Sequence, residues 1–191
     1  MFHCRDENVL LTLFKSLVLS ILEYSSPLWS PHRVQDIAKL ESVQRRYTSK
    51  MTAIQHLNYG DRLKHLKLMS LQRRRERYQI IYVWKILNGK VPNDIGFSWR
   101  ESARKGTVAV IPRMPSSVLK INSSYDNFFK VRGAKLWNCV PKHVKINTSL
   151  TSFKETLDSF LLGVPDYPPG CGSSTANNNS LLDWLAYNSA F

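Results

Sequence analysis

The sequence predicts a mainly α-helical fold: a helical bundle interrupted by a small irregular or β segment and followed by a disordered C-terminal tail. Three observations carry this. Apolar residues recur at three- and four-residue steps through most of the first 88 positions and again from about 128 to 162, the period of helices that bury one face. Between Gly89 and Ser124 that period fails while Gly, Pro and Ser become frequent, which favours loops and short strands. From Gly163 onward, Pro165, Pro168, Pro169, Gly170 and the run Asn177 to Asn179 dominate, a composition poor in the apolar residues that fix a chain in a core.

Taken in order, the first helix is expected over about Asn8 to Tyr24. Val9, Leu10, Leu13, Phe14, Leu17, Val18, Ile21 and Leu22 give it a wide apolar face. Pro27 and Pro31 end it and leave Trp29 in an extended link. A second helix is expected from Val34 to Met51, with Val34, Ile37, Leu40, Val43, Tyr47 and Met51 on one stripe. A short helix follows at about Asp61 to Leu66. Ser70 suits the N-cap of a fourth helix that reaches Asn88, where Gly89 can stop it. Leu71, Tyr78, Ile81 and Trp84 would line its inner face. Thr107 to Ile111 is β-prone, consistent with a small strand or hairpin. A helix over Phe128 to Cys139 is stopped by Pro141. The last firm helix spans Leu150 to Leu162, with Ser152 and Glu155 spaced as a capping box and Ser149 a rival start. Phe153, Leu157, Phe160 and Leu161 form its stripe. A short apolar patch at Leu181, Leu182, Trp184 and Leu185 could dock on the body or on a partner.

The 191 residues suffice for one domain of ordinary size, and 43% are apolar, enough for a core. The formal charge is +13, which favours a polyanionic partner, nucleic acid first among them. That charge is not evenly spread. Residues 1–32 hold two cations and three anions, whereas residues 33–77 hold twelve cations and four anions. Residues 78–162 hold thirteen and five, and the tail none and two. The basic character therefore lies in the middle of the chain.

Three cysteines, Cys4, Cys139 and Cys171, are odd in number and widely spaced, so no disulfide framework follows and a reducing compartment, nuclear or cytoplasmic, fits best. His3, His32, His56, His65 and His143 form no HExxH, and there is no CxxC. Cys139 and His143 are four apart, but Pro141 breaks the helix that would align them, so no metal site is expected. The apolar run Val9 to Leu22 is shorter than the ~20 residues of a membrane span and contains Lys15. It reads as a buried helix, and no membrane partner is expected.

The candidate nucleic-acid contacts are Arg45, Arg46, Lys50, Arg62, Lys64, Lys67, Arg73, Arg74, Arg75 and Arg77. Lys and Arg on exposed helix faces can neutralise phosphates without reading sequence. Arg45, Arg46 and Lys50 also suit the negative end of a helix dipole, which is the plainer reading of those three. Arg73 to Arg77 places four arginines in five residues, a density whose self-repulsion favours an anionic partner. Tyr78, Trp84 and Trp137 sit at core spacing and are expected to pack rather than to stack on bases.

Five stretches, in order, resemble one known family: LFKSLVLSILEYSSPLWSP (Leu13 to Pro31), DIAKLESVQRRYTSKM (Asp36 to Met51), LNYGDRLKHLKLMSLQRRRERYQIIYVWKILNGKVP (Leu57 to Pro92), YDNFFKVRGAKLWNCVPKHV (Tyr125 to Val144) and TSLTSFKETLDSFL (Thr148 to Leu161). Together they look like the thumb and post-thumb part of reverse transcriptases from non-LTR, LINE-type, jockey-like retrotransposons. PDYPP and NNNSLLDW in the tail are similar to the end of some members. The resemblance implies a thumb-like helical region over 1–88, a post-thumb region with a C-terminal helix over 89–162, and a flexible tail over 163–191. It also implies that an RNA, DNA or RNA–DNA hybrid is gripped by the helix Val34 to Met51 and its surroundings, a hybrid being held by backbone and shape.

The family's palm carries aspartates that hold two magnesium ions for nucleotidyl transfer. Those segments would lie upstream of Met1, and this chain has no Asp-Asp pair. The resemblance thus implies descent from an RNA-directed DNA polymerase while the chain alone is expected to be inactive. No cofactor is expected in it, magnesium belonging only to a full-length polymerase. A missing palm would pack on the helix 8–24. The alternatives are a non-enzymatic helical interaction module and a functionless transposon remnant.

Overall fold

The computed structural model describes residues 6–102, 106–110, 128–169 and 179–188. It is mainly helical, as the apolar periods predict. The chain forms two compact units, one of residues up to Arg75 with Pro165–Asp183, the other of Glu76–Val164 with the residues from Trp184. The division falls within a helix that begins at Leu71, not at the helix end near residue 88.

In the first unit, α1 (Glu7–Leu13) starts on Asp6, whose carboxylate accepts from the amides of Asn8 at 2.8 Å and Val9 at 3.2 Å, an N-cap of the usual kind. A π-helical turn, Phe14–Val18, joins it to α2 (Leu19–Glu23). The wider turn puts Phe14 and Leu19, five residues apart, both into the core. Val9, Leu13, Leu17 and Ile21 face outward instead, so four of the eight apolar positions expected on its inner face are exposed. Trp29 does not lie in an extended link. Pro27 opens a short helix, α3 (Ser26–Trp29), where a proline costs no hydrogen bond.

Helix α4 (Val34–Thr48) ends three residues before Met51. Its inner face also differs from the apolar stripe. Val34 and Val43 are exposed, while Ile37, Glu41, Gln44 and Thr48 are buried. The spacing 37, 41, 44, 48 is helical, but most of it is polar. Its polar side chains find partners inside the unit: Gln44 Nε2 donates to Met69 O at 3.1 Å, and Thr48 Oγ1 to Arg45 O at 3.1 Å. Helix α5 (Tyr59–His65) is capped by Asn58, which accepts from Asp61 N at 3.0 Å. Phe14, Leu19, Met51, Ile54, Tyr59, Leu63, Leu66, Leu68 and Leu71 make one apolar cluster. Tyr47 tilts against Phe14 with ring centroids 4.7 Å apart and donates to Leu10 O.

Helix α6 (Leu71–Leu87) begins after Ser70, whose hydroxyl accepts from Arg73 N at 3.1 Å. Gly89 ends it with φ +65°, the left-handed residue that closes a helix at little cost. In the second unit, β1 (Ser98–Ser102) pairs antiparallel with β2 (Gly106–Val110), Ser98 facing Val110. This is the hairpin expected near Thr107, with Ile111 outside the described residues. Helix α7 (Phe129–Cys139) is followed by Pro141 and the short α8 (Lys142–Lys145). Helix α9 (Leu150–Leu162) starts from Ser149. The Ser152 capping box does not form: the helix has already begun at Leu150, so Ser152 lies inside it, where its Oγ donates to Asn147 Oδ1 at 2.9 Å. Trp84 stacks on Phe153 at 5.2 Å and 18°, and Trp137 lies 6.0 Å from the same ring. Of the tail, residues 163–169 and 179–188 are described, the latter containing α10 (Leu181–Asn188), with Val164, Pro168 and Leu181 buried.

Candidate nucleic-acid interface

The ten candidate cations fall into three groups by burial. Arg46, Lys50, Lys64 and Lys67 are exposed. Arg46 lies in the last turn of α4 and Lys50 just past its end. Lys64 lies on α5, 3.6 Å from Asp61 across one helical turn, its own side chain largely in solvent and that of Asp61 about half so, a geometry that contributes little and leaves the ammonium accessible. Lys67 follows α5 at φ +50°.

Arg45, Arg74 and Arg77 are half-buried and engaged. Arg45 donates to Pro169 O and lies over the Tyr59 ring at 5.0 Å. Arg74 forms a two-pronged pair with Glu23, and Arg77 does the same with Asp158. Arg62, Arg73 and Arg75 are buried. Arg62 sits 5.7 Å from the Tyr59 ring on which Arg45 also rests. Arg73 donates to Pro165 O at 2.9 Å. Arg75 donates to Leu22 O at 2.8 Å and covers the Trp29 ring at 4.6 Å.

Charge density in the sequence assigns Arg62 and the run Arg73 to Arg77 to a phosphate-facing surface. Burial moves Arg62, Arg73 and Arg75 to the interior. Each guanidinium group in the run has a partner within its own unit: the carbonyls of Pro165 and Leu22 for Arg73 and Arg75, and the carboxylates of Glu23 and Asp158 for Arg74 and Arg77.

A polar cluster that charge counting does not single out lies beneath these arginines. Glu41 has no exposed surface, and its carboxylate accepts from the Tyr59 hydroxyl and from Leu71 N at 3.0 Å. Burial pushes its pKa up to about 7, against the hydrogen bonds and the Arg45 charge that pull it down, while the Asp166 charge pushes it further up. Burial likewise drives Tyr59 above the ordinary tyrosine range and lowers Arg75. Several guanidinium nitrogens in the interior make no hydrogen bond: Nε of Arg45, Arg62 and Arg75, and both Nε and Nη1 of Arg73. A glutamate on a basic helix reads as solvated surface. Only its register with Ile37, Gln44 and Thr48 could have marked it as interior.

Among the described residues, no group of three or more His, Cys, Asp or Glu is placed to hold a metal ion, and no helix is long and apolar enough to cross a membrane. Half-buried Cys139 carries no disulfide, and burial raises its thiol pKa. Compared with known protein families, curated proteins and solved structures, the chain matches none.

Proposed function

We propose that the chain is a non-catalytic nucleic-acid-binding piece, descended from the thumb and post-thumb part of a non-LTR retrotransposon reverse transcriptase. The observation that carries the binding half of this reading is the set of exposed cations Arg46, Lys50, Lys64 and Lys67 in a segment holding twelve cations and four anions. The ordered sequence stretches carry the descent. In this reading the four side chains touch phosphates of an RNA, DNA or RNA–DNA hybrid, while Arg45, Arg62, Arg73, Arg74, Arg75 and Arg77 hold the helices that present them.

Magnesium belongs to the full-length polymerase in this reading, and the acids described here do not fit it. Glu23, Asp158 and Glu76 face Arg74, Arg77 and Arg132. Glu41 and Asp166 accept from backbone amides at the start of α6. No step of nucleotidyl transfer is assigned to this chain.

Binding of a labelled hybrid duplex, followed by fluorescence anisotropy between about 50 and 200 mM salt, tests the reading. The affinity falls steeply with salt, and replacing the four exposed cations by alanine lowers the log–log slope by about three to four, close to one for each phosphate no longer neutralised. Absence of binding at the lowest salt overturns it. A second reading, an interaction module, is favoured by one feature: Val9, Leu13, Leu17 and Ile21 form an outward apolar stripe on α1–α2. In the parent polymerase a palm domain would cover it.

A further inference from the structure

The start of α6 is covered by the chain's own tail. Asp166 Oδ2 accepts from Ser70 N at 2.8 Å, and its other oxygen accepts from Asn179 Nδ2. Asn179 in turn donates to Ser70 Oγ at 3.2 Å and accepts from Tyr167 N at 2.8 Å. On either side of Asp166, the carbonyls of Pro165 and Pro169 accept from Arg73 and Arg45. Asp166 thus accepts from the N-cap amide of α6, beside the Leu71 amide that Glu41 holds, and guanidinium groups touch the carbonyls one residue before it and three residues after it.

That arrangement is an anion site by its chemistry. Amides at a helix N-terminus and adjacent guanidinium groups attract negative charge, and phosphate is the ligand they most often take. The helix is long, seventeen residues, so its terminal partial charge is fully developed. An independent observation points the same way. Arg73 is only 1% exposed, yet its Nε and Nη1 make no hydrogen bond, and Nε of Arg45 is also buried without one. A carbonyl oxygen takes one donor of each fork, whereas a tetrahedral oxyanion takes several. The carbonyls and Asp166 satisfy this site only in part.

We propose that the start of α6, with Arg45 and Arg73, is a phosphate-type anion site which Asp166 and the Pro165–Pro169 strap occupy in place of a ligand. The inference rests on the nucleic-acid reading for the source of the phosphate, a backbone phosphate of the bound strand, but the site itself does not. The strap is then an autoinhibitory contact. A polyanion gains this site only by displacing Asp166, so the resting chain binds nucleic acid through its exposed cations alone.

Calorimetric titration of the full chain with inorganic pyrophosphate tests the site apart from nucleic acid. Asp166→Asn keeps an oxygen for the Ser70 amide and an isosteric side chain while removing the charge. Asp166→Ala also vacates the space. Both variants are expected to bind pyrophosphate at least tenfold more tightly than the unaltered chain, and adding Arg45→Gln removes the gain. Circular dichroism melting is the check that the Asn variant is folded. Equal pyrophosphate affinity in the unaltered chain and in the Asn variant overturns the proposal. So does a gain that survives Arg45→Gln. The hybrid-duplex titration is run on the same proteins. A pyrophosphate gain with no duplex binding upholds the site and removes the nucleic-acid reading, while duplex binding unchanged by either variant removes the strap's inhibitory role and leaves that reading intact.

Discussion

Glu41 shows how a single residue sets a property of the whole first unit. An ordinary carboxyl here starts from 4.5, and burial brings it to about 7 in the folded chain. Between those values the folded state holds a proton that the unfolded chain has released. Linkage then requires stability to fall as pH rises. The contribution is fully present below pH 4.5 and is lost as pH passes through about 7. Urea midpoints are therefore expected to be lower at about pH 8 than at about pH 5.5, and Glu41→Gln should flatten that difference. A difference unchanged in the Gln variant would assign it to other groups. Ser70 was legible in the sequence as a cap because a hydroxyl at a helix start has one common use. Glu41 was not, because its role depends on Tyr59 and the Leu71 amide, eighteen and thirty residues away.

Helices in the second unit approach closely at one glycine. A methyl group built at Gly133 on α7 would stand 3.1 Å from Val83 Cγ2 of α6 and 3.3 Å from the Phe129 ring. Glycine ordinarily weakens a helix interior by about 0.5–1 kcal/mol relative to alanine. Here its missing side chain permits the approach. Gly133→Val is expected to lower stability by about 1–3 kcal/mol, the usual cost of overpacking, as read from denaturant midpoints. An unchanged midpoint would show that Val83 yields freely.

A second link within this unit joins α6 to α9 through Arg77 and Asp158, whose side chains are 18% and 35% exposed. Partial exposure, chiefly of Asp158, screens the pair, so Arg77→Ala is expected to cost about 1–2 kcal/mol rather than the larger loss of a buried pair. Asp158→Asn in the same background should add little, and an additive double variant would show that the pair is not coupled. At this scale the helices were legible because apolar periods and caps are local. Their inner faces were less so. The π turn at Phe14–Val18 rotates one face by an extra residue, and the inner face of α4 is polar.

At the scale of the molecule, the charge map and the apolar map point to different partners. The cations that sequence density makes most conspicuous, Arg73 to Arg77, are engaged within the chain, while the scattered Arg46, Lys50, Lys64 and Lys67 are exposed. Density in sequence does not become density on a surface when a helix carries it inward. The tail's hold on Arg45 and Arg73 was illegible for a related reason: main-chain carbonyls do the accepting, and they leave no pattern in side chains. The helical fold, by contrast, was readable because its signature repeats along the chain. The outward stripe of α1–α2 has consequences of its own. Val9, Leu13, Leu17 and Ile21 are 44%, 41%, 60% and 75% exposed, and Tyr24 and Leu28 continue beyond them. A contiguous apolar surface of this kind drives association. In sedimentation velocity the full chain is expected to self-associate with rising concentration, and Leu17→Gln with Ile21→Gln to return it to monomer without lowering its melting temperature, since neither side chain is in the core. A chain that stays monomeric at every concentration would mean that the stripe does not drive association. Because the stripe lies outside the basic segment, the same double substitution should leave the salt dependence of duplex binding unchanged, which separates the two surfaces experimentally.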